Sequence, residues 1–228
     1  MNRLARISLW VPVFLICGWT QIAKEVNKEY ATPEGRARIA QSLEDHHRKD
    51  RLNPAAMVAA LDIRPGSTVA DVGTGVGLML PYLAKAVGSG GHVIAEDIQQ
   101  DFLDRARSRA QSEKLANVTF VAGTERNPKL PESQVDVVLV LDSYHHFDYP
   151  EDMLAHIGRA LKPDGRLAII DFYRYRRGPK DNDMSTHVRA EKDEVLREIQ
   201  ANGYKLVSEQ EHGTNQYIII FQNMNKGR

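Results

Sequence analysis

Apolar residues follow three patterns along the chain. From Ile7 to Trp19 they run on without a charge, from Gln21 to Ala31 the chain is polar, and from Thr68 onward short apolar runs alternate with amphipathic stretches. Runs at 68–72, 92–97, 118–122, 135–141, 166–172, 204–210 and 216–222 predict seven strands. Helices are predicted near 78–87, 99–113, 151–161 and 191–202, among the first six strands. Two more precede the sheet. Thr32-Pro33-Glu34 reads as an N-cap with proline at the first helical position, opening a helix to about His46, and Asn53-Pro54 repeats the signal for Ala55 to Leu61.

The run from Val135 to Leu141 is almost continuously apolar, as expected of a parallel strand covered by helices on both faces. Glu211 to Asn215 leaves no room for a helix, so the last strand is predicted to run antiparallel to its predecessor. These patterns predict an α/β, Rossmann-like, mostly parallel sheet flanked by helices, with no internal repeat.

The chain's 228 residues, 42% of them hydrophobic, suffice for one large domain or two small ones. Lys plus Arg and Asp plus Glu both number 30, so no global field gathers a polyanion, and nucleic acid is not an expected partner. The single cysteine, Cys17, leaves the rest of the chain without disulfides, zinc thiolates or a thiol nucleophile. The mean hydropathy of -0.42 is that of a soluble protein and hides the first twenty residues. There Arg3 and Arg6 precede an apolar run shorter than the roughly 20 residues of a membrane span, the pattern of an export signal. No clean cleavage site follows, so an uncleaved anchor, or an apolar helix packed on the domain or pairing two chains, stands beside that reading. The expected organisation is a signal or membrane-contacting anchor over 1–20, a linker and helix over 21–51, and a domain over 52–228. An exported or membrane-associated chain is expected, with the cytoplasmic face as the alternative.

The first strand runs into Asp71-Val72-Gly73-Thr74-Gly75-Val76-Gly77, where a doubly wound sheet receives a nucleotide-like ligand. Glycines let the turn tighten and its amides approach the ligand. The spacing lacks the extra residue of the dinucleotide fingerprint, and Asp71 would repel a pyrophosphate but attract a cationic amino-acid moiety. The second strand ends in Glu96-Asp97-Ile98. Adjacent strand residues point to opposite faces, and Asp97 is the one expected to accept both hydroxyls of a ribose, the other reading being a solvated cap before Gln99.

The sequence resembles the class I S-adenosylmethionine-dependent methyltransferases over about residues 52 to 222. Val69 to Gly77 resembles their glycine-rich first motif, Val93 to Ile98 their acidic ribose loop with its apolar follower, and Leu161-Lys162-Pro163-Asp164-Gly165 their turn before the fifth strand. The resemblance implies strand order 3-2-1-4-5-7-6 with strand seven antiparallel. It implies S-adenosylmethionine as cofactor, S-adenosylhomocysteine as product and a small-molecule acceptor, with a quinone-like look in the region from His187 to Tyr204. It also implies that Asp71, Gly73, Thr74, Gly75 and Gly77 line the methionine end, Asp97 and Ile98 the ribose side, and the turn of Gly123, Thr124 and Glu125 the adenine. Thr124 stands where many relatives carry an aspartate, so either Glu125 or the backbone would hold the adenine amine.

Strand four ends in Asp142-Ser143-Tyr144-His145-His146-Phe147, on the rim that faces the methyl group in such a fold. Asp142 is expected at the cofactor, and Tyr144, His145 and His146 are the expected catalytic residues. Either histidine could take a proton from a phenol or an acidic C-H; the other reading packs one under the strand and has the other cap the next helix. The Pro-Pro motif of enzymes that methylate DNA amines is absent. His46 to Arg51 is either a solvated helix end or a lid. Tyr173 to Arg177 with Lys180 is basic and aromatic, and with Thr186 to Arg189 would recognise an anionic or aromatic small molecule. No metal site is expected, because the paired histidines are adjacent in sequence.

Overall fold

The computed structural model describes residues 23–175 and 183–224. The expected export or anchor segment at 1–20, Cys17, and Arg176, Arg177 and Lys180 of the basic loop lie outside the described residues. Among the described residues no helix is long and apolar enough to cross a membrane.

Seven strands form one sheet in the order β3-β2-β1-β4-β5-β7-β6. They are β1 (Thr68–Val72), β2 (His92–Asp97), β3 (Val118–Ala122), β4 (Val135–Leu141), β5 (Leu161–Phe172), β6 (Tyr204–His212) and β7 (Gln216–Asn223). The first five pair in parallel, and β7 runs antiparallel to both neighbours.

Alternate side chains of the central strands enter two separate cores, as the two-residue strand period requires. On one face Ala70, Val138, Val140, Ile169 and Ile219 pack with Ile157 of α6 (Pro150–Ala160) and Ile199 of α7 (Lys192–Ala201). On the other Val69, Val137, Leu139, Ile170 and Ile218 pack with Met57 of α3 (Pro54–Ala60) and Leu83 of α4 (Leu80–Val87). α5 (Gln100–Ser112) lies against β2 and β3.

Several boundaries differ from expectation, among them that of β6, which runs on to His212 rather than 210. The helix from Pro33 ends at Glu44, and a second, α2 (His46–Leu52), starts after Asp45, whose carboxylate accepts from His47 N at 2.9 Å. A local cap thus divides α1 (Pro33–Glu44) from α2. β5 begins at Leu161 rather than 166, because the Pro163-Asp164-Gly165 stretch continues the strand through a register break opposite Val135 and Val137.

Candidate active site

The carboxyl ends of β1, β2 and β4 open into a cavity of about 260 Å³. The turn after β1 forms its floor. Gly73 and Gly75 take φ of +73° and +55°, the left-handed region that favours glycine. A Cβ on Gly73 would lie 2.0 Å from Ser143 Oγ, so the turn after β1 packs directly against the Ser143 side chain just beyond β4. Gly77, also expected at the ligand, does not line the cavity. Its φ is +78°, and Ala106 of α5 lies 3.1 Å from where its Cβ would be, so it serves helix packing.

Among the described residues six carboxyl groups border the cavity: Asp71, Glu96, Asp97, Glu125, Asp142 and Asp148. Asp97 accepts from Gly75 N and from Gln99 N, both at 2.9 Å, which ties the glycine turn to the end of β2. It is buried, so the solvated cap is not what forms. Asp71 accepts from the Thr74 hydroxyl at 2.7 Å. Burial pushes the Asp71 and Asp97 carboxyls each up to about 6, against the pull of these hydrogen bonds. Glu96, buried beside them, is pushed well above the usual range, by burial and by Asp97; its Oε1 has no hydrogen-bond partner. Both Glu96 and Asp97 border the cavity: they are the last two residues of β2, and the cavity opens across the end of that strand. Ile98, Thr124 and Glu125 also line it, with Thr124 bridged to Asn127.

The N-terminal segment covers this floor. Arg48 Nη2 donates to Asp142 Oδ2 at 2.7 Å, and Gln216 donates to the other oxygen at 2.6 Å. Asp142, at φ +48°, is pushed up to about 6 by burial, an effect Arg48 opposes. Arg48 is in α2, so the His46 to Arg51 stretch sends a guanidinium over the cavity instead of ending in solvent. Asn27 and Tyr30 also reach it; they come from the polar Gln21 to Ala31 stretch, which carried no periodic signal. Leu43, Phe102, Phe147 and Met153 add an apolar and aromatic wall.

The three residues expected to be catalytic part company. Tyr144 is fully buried away from the cavity, its hydroxyl donating to Glu198 Oε1 at 2.6 Å, so this residue does not face an acceptor. His145 is also buried and outside the lining; its Nδ1 faces Asp171 Oδ1 at 2.7 Å and its Nε2 faces His187 Nε2 at 3.1 Å. His146 alone of the three lines the cavity, with Nδ1 2.8 Å from Asn27 Oδ1 and Nε2 3.3 Å from the Tyr30 hydroxyl. Neither histidine caps α6. Burial holds both imidazoles well below their usual range, so both are neutral near pH 7.

His187 brings a third imidazole to this pair, and the ligand atoms of His145, His146 and His187 lie within 4.8 Å of one another. No metal site was expected from the adjacent pair; in the fold a third histidine, 41 residues beyond His146, joins them in a group that could hold an ion. Asp171 was missed as well. The available signal was a carboxylate at the end of the apolar Leu167 to Ile170 run, the same signal that marked Asp97.

Residues 70–169 match a family model described as a methyltransferase domain. Over 111 residues the chain is 33% identical to the ubiquinone/menaquinone biosynthesis C-methyltransferase UbiE of Ectopseudomonas mendocina, across 48% of this chain and 43% of that one. The chain thus spans less than half the length of this curated relative. The crystal structure of an S-adenosylmethionine-dependent methyltransferase from Aquifex aeolicus is similar with a TM-score of 0.75 and 28% identity, covering 81% of this chain and 96% of that one. The crystal structure of the cyclase SpnF shares the fold, with a TM-score of 0.64 at 16% identity over 74% of this chain and 79% of that one. A fold by itself does not name a reaction. Here the matched span contains the cavity floor from Asp71 to Asp142, and together these likenesses support a class I S-adenosylmethionine-dependent methyltransferase domain over residues 70–169.

Proposed function

We propose that the protein passes the methyl group of S-adenosylmethionine to a small-molecule acceptor, with an aromatic or quinone-like compound as the favoured class. The family and fold imply this cofactor, with S-adenosylhomocysteine as product. The observation that carries the reading is the sign of the cavity: among the described residues Asp71, Glu96, Asp97, Glu125, Asp142 and Asp148 border it against one guanidinium, that of Arg48. Such a lining repels a pyrophosphate and suits a ligand with an ammonium and a sulfonium, because a buried carboxylate recovers its lost hydration only from a cation or a donor.

In this reading Asp97 accepts the ribose hydroxyls on lone pairs that Gly75 N and Gln99 N leave free. Asp71, Gly73, Thr74 and Gly75 border the methionine end, Ile98, Thr124 and Glu125 the adenine, and Asp142 the side nearest the acceptor. When bound, the cofactor supplies a methyl on an already electrophilic sulfur, so alignment provides much of the rate. Arg48, Tyr30 and the apolar wall exclude water. His146 is neutral, and its Nε2 is the basic atom on the cavity side that can take a proton from a phenol or an acidic C-H. The likeness to the C-methyltransferase UbiE supports the acceptor class.

Calorimetry of the full chain with S-adenosylmethionine and S-adenosylhomocysteine tests the cofactor, and no heat with either overturns the proposal. Release of S-adenosylhomocysteine with a panel of quinols and phenols tests the acceptor. Binding without release across phenols, amines and thiols would favour a non-catalytic cofactor-binding protein. We further propose, from Arg3, Arg6 and the apolar run to Trp19, that residues 1–20 carry the chain to or across a membrane. Recovery of the intact chain in the soluble cytosolic fraction would overturn that.

A further inference from the structure

Beside the methyl-transfer cavity, the tautomers of two histidines are set by their neighbours. Asn27 Nδ2 donates to the His146 carbonyl at 2.9 Å and to Asp148 Oδ2 at 3.2 Å. The amide is thereby oriented, and its Oδ1 can only accept from His146 Nδ1. His146 Nδ1 therefore carries the proton, and its Nε2 carries a lone pair. Asp171 does the same for His145. Its two oxygens already accept from Phe172 N at 2.8 Å and His145 N at 3.2 Å, and the His145 ring donates from Nδ1 to Oδ1. The His145 lone pair is then on Nε2, 3.1 Å from His187 Nε2.

Two imidazoles with protonated, anchored Nδ1 and lone pairs on Nε2, clustered with a third, have the form of metal ligands held by outer partners, one of them a carboxylate. Tetrahedral coordination with Zn–N bonds of about 2.0–2.1 Å sets ligand nitrogens about 3.3 Å apart. The His145–His187 pair, at 3.1 Å, is already close to that spacing, and one nitrogen of each of the three rings lies within 4.8 Å of the others. Breaking the Tyr30 contact at 3.3 Å frees His146 Nε2 to join the other two.

We infer that His145, His146 and His187 form a binding site for one divalent transition-metal ion, Zn2+ foremost, with Asp171 and Asn27 as the outer partners that orient the rings. Three imidazoles favour Zn2+, Co2+, Ni2+ or Cu2+ over the oxygen-seeking Mg2+ and Ca2+. Three protein ligands also leave a coordination position open, the pattern of reactive rather than purely structural sites. Because His146 lines the cavity, that position is within reach of an acceptor carrying an oxygen or sulfur donor. In the metal-loaded protein His146 acts as a ligand and not as a free base. The inference concerns ion binding and does not depend on the acceptor or on the methyl-transfer reading.

The test uses the tag-free full chain, stripped with a chelator, dialysed and titrated with CoCl2. One equivalent of Co2+ should bind with the intense visible absorption of a four- or five-coordinate ion, and ZnCl2 should displace it. His187→Ala, at a half-buried position, should abolish the absorption while leaving the far-UV circular dichroism unchanged. Asp171→Asn should weaken Co2+ affinity about 10- to 100-fold. Absence of a Co2+ band in the wild-type chain, or an undiminished band in His187→Ala, overturns the inference. Heat of S-adenosylhomocysteine binding, measured on the stripped protein, keeps the two readings apart: ion binding without that heat sinks only the methyl-transfer proposal, and that heat without ion binding sinks only this one.

Discussion

Arg48 Nη2 lies 2.7 Å from Asp142 Oδ2, and this pair joins the N-terminal cover to the end of β4 across the cavity. Arg48 is 20% exposed and Asp142 7%, so the contact is poorly screened by water. Arg48→Gln leaves a buried carboxylate held only by Gln216, and the expected loss is about 2 kcal/mol of stability near pH 8. Arg48 holds the Asp142 carboxyl down against a burial that already places it at about 6. Without the guanidinium its pKa rises further, so at pH 5 the group is neutral and the loss should shrink. Thermal unfolding at the two pH values checks this, with Asp142→Asn added to Arg48→Gln expected to recover part of the loss at pH 8.

Much of this architecture could be read from the sequence because it rests on short-range periods. The alternation of Tyr217, Ile218, Ile219, Ile220 and Phe221 between the two cores follows from strand geometry alone, and the short connection before Gln216, too short for a helix, set the direction of β7. Carboxylates at strand ends were legible for the same reason, since ending β1 or β2 places Asp71 or Asp97 on the rim. Contacts made across the fold left no such trace. Asn27 meets His146 over 119 positions and His187 meets His145 over 42, and only assembly of the sheet with its cover shows that His146 faces the cavity while Tyr144 turns to Glu198.

Asp97 joins the glycine turn to the ribose position proposed above. Asp97→Asn keeps the shape but places an NH2 group against Gly75 N or Gln99 N, both of which donate. Two donors then face each other in a buried site. The dissociation constant for S-adenosylhomocysteine should rise at least about tenfold, through loss of a charge-assisted hydrogen bond. Calorimetry measures it, and an unchanged constant would remove Asp97 from the site.

Affinity for the cationic cofactor should depend on pH in one direction. Asp71 and Asp97 are held at about 6 by burial, with Glu96, Asp101 and Asp142 as acidic neighbours and Arg48 as the cation on the cavity. The ligand binds the ionised carboxylates, so affinity should fall below pH 6, level off above pH 7, and binding at pH 6 should release protons. Raised carboxyl pKa values also favour the folded state at low pH, a contribution lost as pH rises through about 6. Thermal stabilisation by S-adenosylmethionine should accordingly be larger at pH 7 than at pH 5. Titrations in buffers of different ionisation enthalpy read the proton count, and proton uptake would contradict the acidic-floor account.

The close approach of the turn after β1 to Ser143 can be separated from backbone strain by comparing two glycines. Gly73 and Gly66 both have positive φ, +73° and +86°, so alanine at either costs about 1–2 kcal/mol in conformation alone. A Cβ on Gly66 meets nothing within 4 Å, whereas one on Gly73 meets Ser143 Oγ at 2.0 Å and Ser143 Cβ at 2.7 Å. Gly73→Ala should therefore lower the melting temperature well beyond Gly66→Ala and also weaken S-adenosylhomocysteine binding, because the turn after β1 and Ser143 must part at the cavity floor. Replacing Ser143 by glycine removes both clashing atoms, and the Gly73→Ala, Ser143→Gly double variant should unfold above Gly73→Ala once the cost of Ser143→Gly alone is subtracted. Equal melting temperatures for Gly73→Ala and Gly66→Ala would show that strain, and not the contact with Ser143, is why glycine stands at position 73.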